Sequence, residues 1–518
     1  MEEKKTNRVR AVSLMMLLTL IGKVLGLVRD MLLGSHFATG TAANAFLAAS
    51  RIPRNFFDAI FASAISASFI PVFNEYVEKK GKQEALRLFH AFVTLVALAT
   101  AVLSVLGAAS ASPLVAFLAD GFDAETASLC AKLLRLLFPT VFFTGIAFSL
   151  VGVLQSFGEF TIPALLSTVS NGVIVLYYLF FCDRFGIVGL AAAFLLGWAM
   201  QVLVQLPALH RFGVRYRPAL RHEGLRKVFF LSLPVLLSTW VQPLNLTVAT
   251  KYASRLNGGA AASALEYANT LYTIVAGVFV LSVANVMFPD FSRMSARAER
   301  GALEESLKNT LGVMLFLLTP MAVGMSVLAE PIVRLIYERG AWGEESTALT
   351  AGALAYLSLG MLGYGVQIIL SRAYYAEQKG KMPLLAGALS VLSNFALCEL
   401  LSPVLGLRGL AIASAVSLTV PAAVLFAALA RRYGALMSRD ALWDAGKMVL
   451  CAAVMGAAVY VLRTALAGAL PDRMAGRLAA VALPVLMGAA LYLVLAWLLR
   501  VSVTGQLREI IQKRRGRV

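Results

Sequence analysis

A series of long apolar runs constrains this chain of 518 residues more than any other feature. A helix needs roughly 20 mostly apolar residues to cross a bilayer, and about fourteen such runs occur here, separated by short loops. Only 14% of the residues are charged, whereas soluble globular proteins carry about 25%. The sequence therefore predicts an all-α polytopic membrane protein without a soluble domain. Its predicted spans lie near residues 11–33, 42–73, 88–112, 127–154, 162–182, 186–208, 228–251, 264–288, 308–328, 347–374, 383–402, 406–429, 444–466 and 478–499.

The net charge of +18 comes from 46 Lys and Arg against 28 Asp and Glu. The basic residues stand in short clusters between apolar runs, and not on a solvated face with aromatic platforms, so nucleic acid is not an expected partner. With the N-terminus in the cytoplasm, about 30 basic residues fall on the cytoplasmic side and about nine on the other, which follows the positive-inside bias. We expect both termini in the cytoplasm, and the tail after Arg500 on anionic headgroups.

Two stretches of the chain repeat at an offset of about 220 residues. Residues 186–191 parallel residues 406–411, and residues 161–165 parallel residues 381–385. Six spans separate the copies, so both have the same orientation, as in transporters whose parallel halves rock around a central site. The predicted domains are an N-lobe at 1–220, a C-lobe at 221–435, and spans 13 and 14 with a basic tail at 436–518.

Ionisable residues inside spans are costly and are therefore candidates for a functional site. The polar candidates of spans 1, 2, 7 and 8 are Lys23, Arg29, Asp30, Asn44, Arg51, Arg54, Asp58, Gln242, Asn245, Glu266 and Asn269. Those of span 2 recur at helical spacing, which predicts one shared face, and Pro53 predicts a kink among them. In the simplest arrangement, the polar stripes of these four spans face one water-accessible cavity.

Spans 1 and 2 together carry four cations and two carboxylates. An excess of positive charge at membrane depth favours an anionic ligand, and arginine suits phosphate because it binds in a bidentate manner. We therefore expect a phosphate or pyrophosphate headgroup. The alternative is structural: Lys23 snorkels to the interface, Arg29 pairs with Asp30, and the charges of span 2 neutralise one another.

No catalytic, metal or cofactor site is predicted. The four cysteines form no CxxC pair, the histidines are scattered, and no phosphate-binding GxxxxGK[ST] loop occurs. We therefore expect a transporter and not an enzyme. The residues leave open whether sodium, protons or the membrane potential drives it, and a monomer is expected.

Several motifs resemble the MurJ (MviN) family of lipid II flippases. They are residues 22–30 (GKVLGLVRD), 43–46 (ANAF), 51–53 (RIP), 66–72 (SASFIPV) and 267–269 (YAN), with the later Phe288-Pro289. The resemblance covers essentially the whole chain. It implies a member of the multidrug/oligosaccharidyl-lipid/polysaccharide exporter superfamily in the bacterial cytoplasmic membrane, which moves a polyprenyl-pyrophosphate-linked peptidoglycan precursor, lipid II, outward for cell wall biogenesis.

The resemblance also implies that cationic residues of spans 1, 2 and 8 line the headgroup cavity, with a groove for the polyprenyl tail at spans 13 and 14. Arg29 and Asp30 match directly, and Lys23 stands where an arginine is usual. Asn44 replaces a frequent aspartate, while Phe57 and Thr270 occupy arginine positions of spans 2 and 8. Two cavity cations are therefore missing, and Arg51 and Arg54 are the candidates to replace the first.

Three other functions remain open for this sequence. A flippase for another polyprenyl-pyrophosphate-linked saccharide would tolerate the missing cations. A cation-coupled drug exporter of the same superfamily would need acidic cavity residues, against the positive excess seen here. A membrane-embedded glycosyl- or acyltransferase would need an acid/base cluster facing the membrane, which the sequence does not show.

Overall fold

The computed structural model describes residues 2–433 and 438–505, and the side chains within them except those of residues 2–13, 16, 55, 56, 59, 234, 237 and 238. The predicted basic tail from residue 506 onward therefore lies outside the described residues. The described chain divides into two compact units, Met1–Ser263 and Ala264–Val518. The lobes at 1–220 and 221–435 were inferred from repeats in the sequence and remain a prediction.

Unit 1 is built from helices and contains two π-helical segments inside the second predicted span. Its helices are α1 (Glu2–Phe37), α2 (Thr41–Arg51), α3 (Ala59–Ala64), α4 (Ile70–Lys80), α5 (Lys82–Ala109), α6 (Ala111–Leu118), α7 (Ala124–Leu137), α8 (Thr140–Ser156), α9 (Thr161–Phe180), α10 (Cys182–Arg211), α11 (Gly224–Thr239) and α12 (Val241–Ser254). The π-helical segments are Ile52–Asp58 and Ile65–Phe69. Helix α1 packs along α9, α9 along α10, and α2 along α7.

Unit 2 continues the helical pattern to the end of the described chain. Its helices are α13 (Ala260–Ala296), α14 (Arg300–Val327), α15 (Ala329–Tyr337), α16 (Glu344–Leu359), α17 (Met361–Ala376), α18 (Lys381–Ala430), α19 (Arg439–Ala467) and α20 (Met474–Leu498). Helices α16 and α17 both pack on α18, and α19 packs between α14 and α20. The apolar core around α19 includes Phe316, Met455 and Tyr492.

The predicted fold class is confirmed, because the described residues form long apolar helices. Ten of these helices are long and apolar enough to cross a membrane, or eleven if the bent pair α16–α17 forms one span. The predicted count of about fourteen differs from ten at four places. Span 1 is not among these helices, Trp240 separates α11 from α12 within span 7, the pair α16–α17 of span 10 is bent by 43°, and α18 covers two predicted spans in one 50-residue element.

Two glycines that the sequence repeat aligns have the same backbone conformation. Gly186 in α10 has φ 54° and ψ −148°, and Gly406 in α18 has φ 57° and ψ −135°. Residues with a Cβ rarely adopt a positive φ of this kind, so glycine is the residue that fits. Each glycine breaks its long helix, so the chain passes directly from one predicted span to the next without a separate loop.

An ion pair joins the loop after α6 to the C-terminal end of α12. Asp120 accepts hydrogen bonds from Nε and Nη2 of Arg255 at 2.8 and 2.6 Å, and Lys251 Nζ lies 3.6 Å from the same carboxylate. The hydrogen bonds from Arg255 are the main reason that the pKa of Asp120 lies below its ordinary value. This contact fixes α12, which carries two of the predicted site residues, Gln242 and Asn245.

The Asp120 ion pair predicts that the protein loses stability in acid. A carboxylate whose folded pKa is lowered stabilises the fold above its unfolded pKa, and this contribution disappears as the pH falls through the folded pKa. We expect Asp120→Asn to lower the melting temperature at pH 6 and to make it depend less on pH down to pH 3. Asp183→Asn, at an exposed aspartate of the same unit, is the control. Equal pH slopes in wild type and Asp120→Asn would contradict the prediction.

Candidate functional site

The guanidinium of Arg29 is held on α1 by two partners. Nε and Nη2 lie 2.9 and 2.8 Å from Asp30 Oδ1, and Nη1 donates to Asn171 Oδ1 at 2.9 Å. Asn171 on α9 also donates from Nδ2 to the carbonyl of Gly22 at 3.1 Å. A guanidinium has five N–H donors, so one donor on each terminal nitrogen remains for a ligand. Arg29 is therefore held in place and keeps two N–H donors, one on each terminal nitrogen, for a ligand; we call this its two-donor edge.

The closest approach of α1 to α9 depends on a glycine. A Cβ added at Gly22 would lie 3.1 Å from Ser167 Cβ, which is tighter than most contacts in proteins. Small residues at such positions let helix backbones approach in membranes. The absence of a side chain at Gly22 therefore allows Asn171 to reach the α1 backbone and Arg29 together.

Phe194 on α10 brings a second arginine to the same place. The Cζ atoms of Arg29 and Arg54 each lie 5.6 Å from the centroid of the Phe194 ring. The ring is 2% exposed, stacks on Trp198 at 5.6 Å and meets the Phe46 ring edge-on at 5.1 Å. Cations are attracted to the face of an aromatic ring, more strongly where water is excluded. One buried ring thus keeps two positive charges close together.

Asp58 provides the counter-charge of this group. Its Oδ1 accepts hydrogen bonds from Thr144 Oγ1 at 2.9 Å and from Trp198 Nε1 at 3.4 Å. The charge of Arg54, one turn earlier in the same segment, also acts on Asp58. Trp198 therefore links the carboxylate to the ring that carries both arginines. We call Arg29, Asp30, Arg54, Asp58 and Phe194 the arginine cluster.

The predicted single polar face of span 2 is wrong. Arg51 donates to the carbonyl of Leu246 on α12, whereas Asp58 contacts α8 and α10. Asn44 is 2% exposed and donates to the carbonyl of Thr39. A π-helix closes its hydrogen bonds from i to i+5 and changes the angular spacing of side chains. The segment Ile52–Asp58 starts at the predicted kink, and it turns the later residues away from the face of Arg51.

The other predicted residues of unit 1 lie apart from the arginine cluster. Lys23 is exposed on α1 and makes no hydrogen bond or ion pair with a described residue. Gln242 is exposed on α12, and Asn245 on the same helix is half-buried. Their place in the predicted cavity remains a prediction.

Three predicted residues lie in unit 2, on α13. Glu266, Asn269 and Thr270 are all half-buried on the N-terminal part of this helix. Next to Glu266, the buried Tyr267 packs against Tyr337 and Trp342, with ring centroids 5.0 and 4.9 Å away. This aromatic contact anchors the polar stretch of α13 to α15 within unit 2. A cavity shared with the arginine cluster remains a prediction.

Four contacts of the cluster were missed from the sequence. Phe194 and Trp198 stand one helical turn apart in an apolar span, a pattern that usually marks packing. Asn171 had a usable signal, because an amide inside an apolar span is costly unless it is hydrogen-bonded. Thr144 had none, since a membrane helix commonly bonds a threonine hydroxyl to its own backbone.

The position where the resemblance implies an arginine of span 2 is apolar. Phe57 stacks on Phe61 with ring centroids 6.3 Å apart. In the described part of the chain, no group of three or more His, Cys, Asp or Glu residues could hold a metal ion. The site thus consists of arginines, their carboxylate partners and aromatic rings.

Comparison with known proteins identifies the family. The profile of the family "Lipid II flippase MurJ" matches residues 33–471. This chain belongs to the MurJ family. The probable lipid II flippase MurJ of Haemophilus influenzae is 33% identical over 466 residues, which cover 86% of this chain and 90% of that protein. The lipid II flippase MurJ of Burkholderia cenocepacia is 29% identical over 80% of this chain and 82% of its own length.

Solved structures agree with the family fold. A lipid II flippase MurJ in an inward closed conformation matches with a TM-score of 0.80 at 23% identity, over 94% of this chain and 98% of that one. An inward-facing multidrug resistance MATE transporter of the MOP superfamily matches with a TM-score of 0.69 at 15% identity, over 82% and 98%. The all-α fold of the MurJ family, predicted from sequence motifs, is confirmed.

Proposed function

We propose that this chain is a lipid II flippase of the bacterial cytoplasmic membrane. It carries the lipid-linked peptidoglycan precursor from the inner to the outer leaflet by alternating access, for cell wall biogenesis. Membership of the MurJ family supports this function. The observation that carries it is the two-donor edge of Arg29, held beside Arg54 on the Phe194 ring.

The arginine cluster fits a pyrophosphate headgroup by its geometry. Within it, Arg29 and Arg54 balance Asp30 and Asp58, and the excess of two positive charges in spans 1 and 2 belongs to Lys23 and Arg51, which lie apart from it. The two remaining donors of Arg29 can give paired hydrogen bonds to phosphate oxygens, and such charge-assisted bonds are stronger than neutral ones. The site binds the headgroup, while the polyprenyl tail stays in the apolar surroundings of the helices.

The proposal also covers the orientation of the chain in the membrane and its oligomeric state. Both termini lie in the cytoplasm, because the basic loops then fall on the cytoplasmic side. The protein works as a monomer, with the N-lobe at 1–220 and the C-lobe at 221–435 rocking around the headgroup, and no catalytic step is needed. Sodium, protons or the membrane potential resets the empty cavity.

The aromatic residue at position 57, Phe57, favours a second candidate function, which is also a lipid flippase. Its ring stacks on Phe61 where the resemblance implies a cation, so the headgroup meets less positive charge on span 2. A flippase for a different polyprenyl-pyrophosphate-linked saccharide would fit this weaker site. A cation-coupled drug exporter fits less well, because its substrate would meet an excess of cations.

Reconstitution of the purified chain tests the proposed function. We expect proteoliposomes to move lipid II from one leaflet to the other, which a membrane-impermeant enzyme acting on the outer leaflet measures. The same assay with another polyprenyl-pyrophosphate-linked saccharide distinguishes the two candidates. A cell depleted of its own lipid II flippase should regain growth when it expresses this chain. Absence of lipid II movement together with absence of growth would refute the assignment.

A further inference from the structure

A charged pocket in unit 2 lies apart from the predicted headgroup residues. It is enclosed by α15 and by the hairpin that joins α19 to α20, with a volume of about 150 Å³. This hairpin stands at the end of α19 and α20 opposite to their connections with the rest of the chain. The pocket therefore lies at the membrane surface, on the side away from the N-terminal end of α19 and the C-terminal end of α20.

Three arginines and two carboxylates line this pocket. Arg477 uses four of its five donors: Nε and Nη2 bind Asp472 at 2.6 and 3.2 Å, Nη1 binds the carbonyl of Glu338 at 2.6 Å, and Nη2 also reaches Glu338 Oε1 at 3.4 Å. Arg463 donates from Nη1 to the carbonyl of Val327 at 2.7 Å and from Nη2 to Glu330. The hairpin is thus tied to α15 by charge, and the pocket keeps its shape.

Arg334 is the lining arginine with most donors to spare. Its Nε lies 3.2 Å from Glu338 Oε2, and this is its one polar contact with the described residues. The four N–H donors of its two terminal nitrogens are therefore available, and 39% of its side chain is exposed. A tetrahedral phosphate accepts paired hydrogen bonds from such a group.

The carboxylates of the pocket point to a ligand that also carries a positive charge. The Asp472 side chain is 73% exposed and that of Glu330 is 46% exposed, so both can receive an ammonium group. Because Arg477 and Arg463 already pair with these carboxylates, a simple anion would use Arg334 alone, whereas a zwitterion finds a partner for each of its charges.

Apolar residues line the pocket beside the charged groups. Pro331, Leu466 and Leu470 line it, and Arg463 lies four residues before the end of α19, about 6 Å at 1.5 Å per residue. The charges are therefore at headgroup depth, and the apolar residues beside them can contact the first carbons of acyl chains. We propose that this pocket binds the headgroup of a zwitterionic phospholipid of the phosphoethanolamine type, with its phosphate on Arg334 and its ammonium on Asp472 and Glu330.

Binding of short-chain lipids to the full-length protein in detergent tests the proposal. Native mass spectrometry gives the affinity for dioctanoyl phosphatidylethanolamine, with dioctanoylglycerol as the lipid without a phosphate. We expect Arg334→Gln to weaken phosphatidylethanolamine binding about tenfold, the loss of a charge-assisted hydrogen bond. Arg408→Gln, at an exposed arginine of α18 outside the pocket, should bind as wild type does.

Two further measurements decide the headgroup. Asp472→Asn should weaken binding of phosphatidylethanolamine but not of phosphatidylglycerol, which has no ammonium. Equal affinity of wild type and Arg334→Gln, or equal affinity for dioctanoylglycerol, would overturn the site. Equal loss of both phospholipids in Asp472→Asn would overturn the zwitterionic assignment. Flipping of lipid II is not part of the measurement, so its result is independent of the proposed function.

Discussion

Arg29→Ala is expected to reduce translocation of lipid II at least about 100-fold while the protein remains folded and inserted. The substitution removes the two donors that we propose bind the headgroup, and each charge-assisted hydrogen bond contributes about 1.5–3 kcal/mol. It also leaves Asp30 without its cation, so the local charge changes by one unit. Translocation in proteoliposomes measures the effect, and the melting temperature reports the fold.

Two matched variants separate charge from geometry at this position. Arg29→Lys keeps the charge but loses the planar fork that binds phosphate in a bidentate manner, so we expect partial activity. Arg184→Ala removes an exposed arginine of α10 and should leave translocation unchanged. Full activity of Arg29→Ala would exclude a direct role for this residue in headgroup binding.

Phe194→Ala is expected to have the second-largest effect, on both stability and transport. Truncation of a buried phenylalanine costs about 3–5 kcal/mol through lost packing and the cavity left behind. Arg29 and Arg54 both contact this ring, so both guanidinium groups would lose their cation–π contact. We expect a lower melting temperature together with strongly reduced translocation.

Phe194→Leu tests whether the ring face itself matters. Leucine restores most of the apolar volume, so the fold should be nearly as stable as in wild type, but a leucine has no aromatic face for a cation. We expect weaker lipid II binding at a nearly normal melting temperature. Phe181→Leu, at an exposed aromatic residue preceding α10, is the control. Unchanged lipid II binding in Phe194→Leu would show that Phe194 acts only through packing.

Much of the fold could be predicted from the apolar runs alone, because crossing a bilayer requires long helices of known composition. The same pattern placed the costly polar residues in spans 1 and 2, and the pairing of Arg29 with Asp30 followed from their adjacency. The repeat also aligned Gly186 with Gly406, which share a backbone conformation.

What could not be predicted depends on contacts between distant segments and on local helix geometry. Nothing in the sequence shows that Ile52–Asp58 closes π-type hydrogen bonds, so the regular spacing of Arg51 and Asp58 predicted a face that the structure does not have. Likewise, Phe194 is separated from Arg29 by most of unit 1. Its role depends on tertiary packing, which spacing along one helix does not encode.

The convergence of three segments on one aromatic ring has a consequence for turnover. Arg29 comes from α1, Arg54 from the π-helical segment and Phe194 from α10. A small sliding of α1 against the π-helical segment changes the distance between the two guanidinium groups, and with it the residence time that we expect for a bound headgroup. Two adjacent cations that bind one headgroup must move apart before the headgroup can dissociate. If the proposed headgroup site is correct, we expect its rate of release to depend on how easily α1 slides along α9, the helix on which it packs.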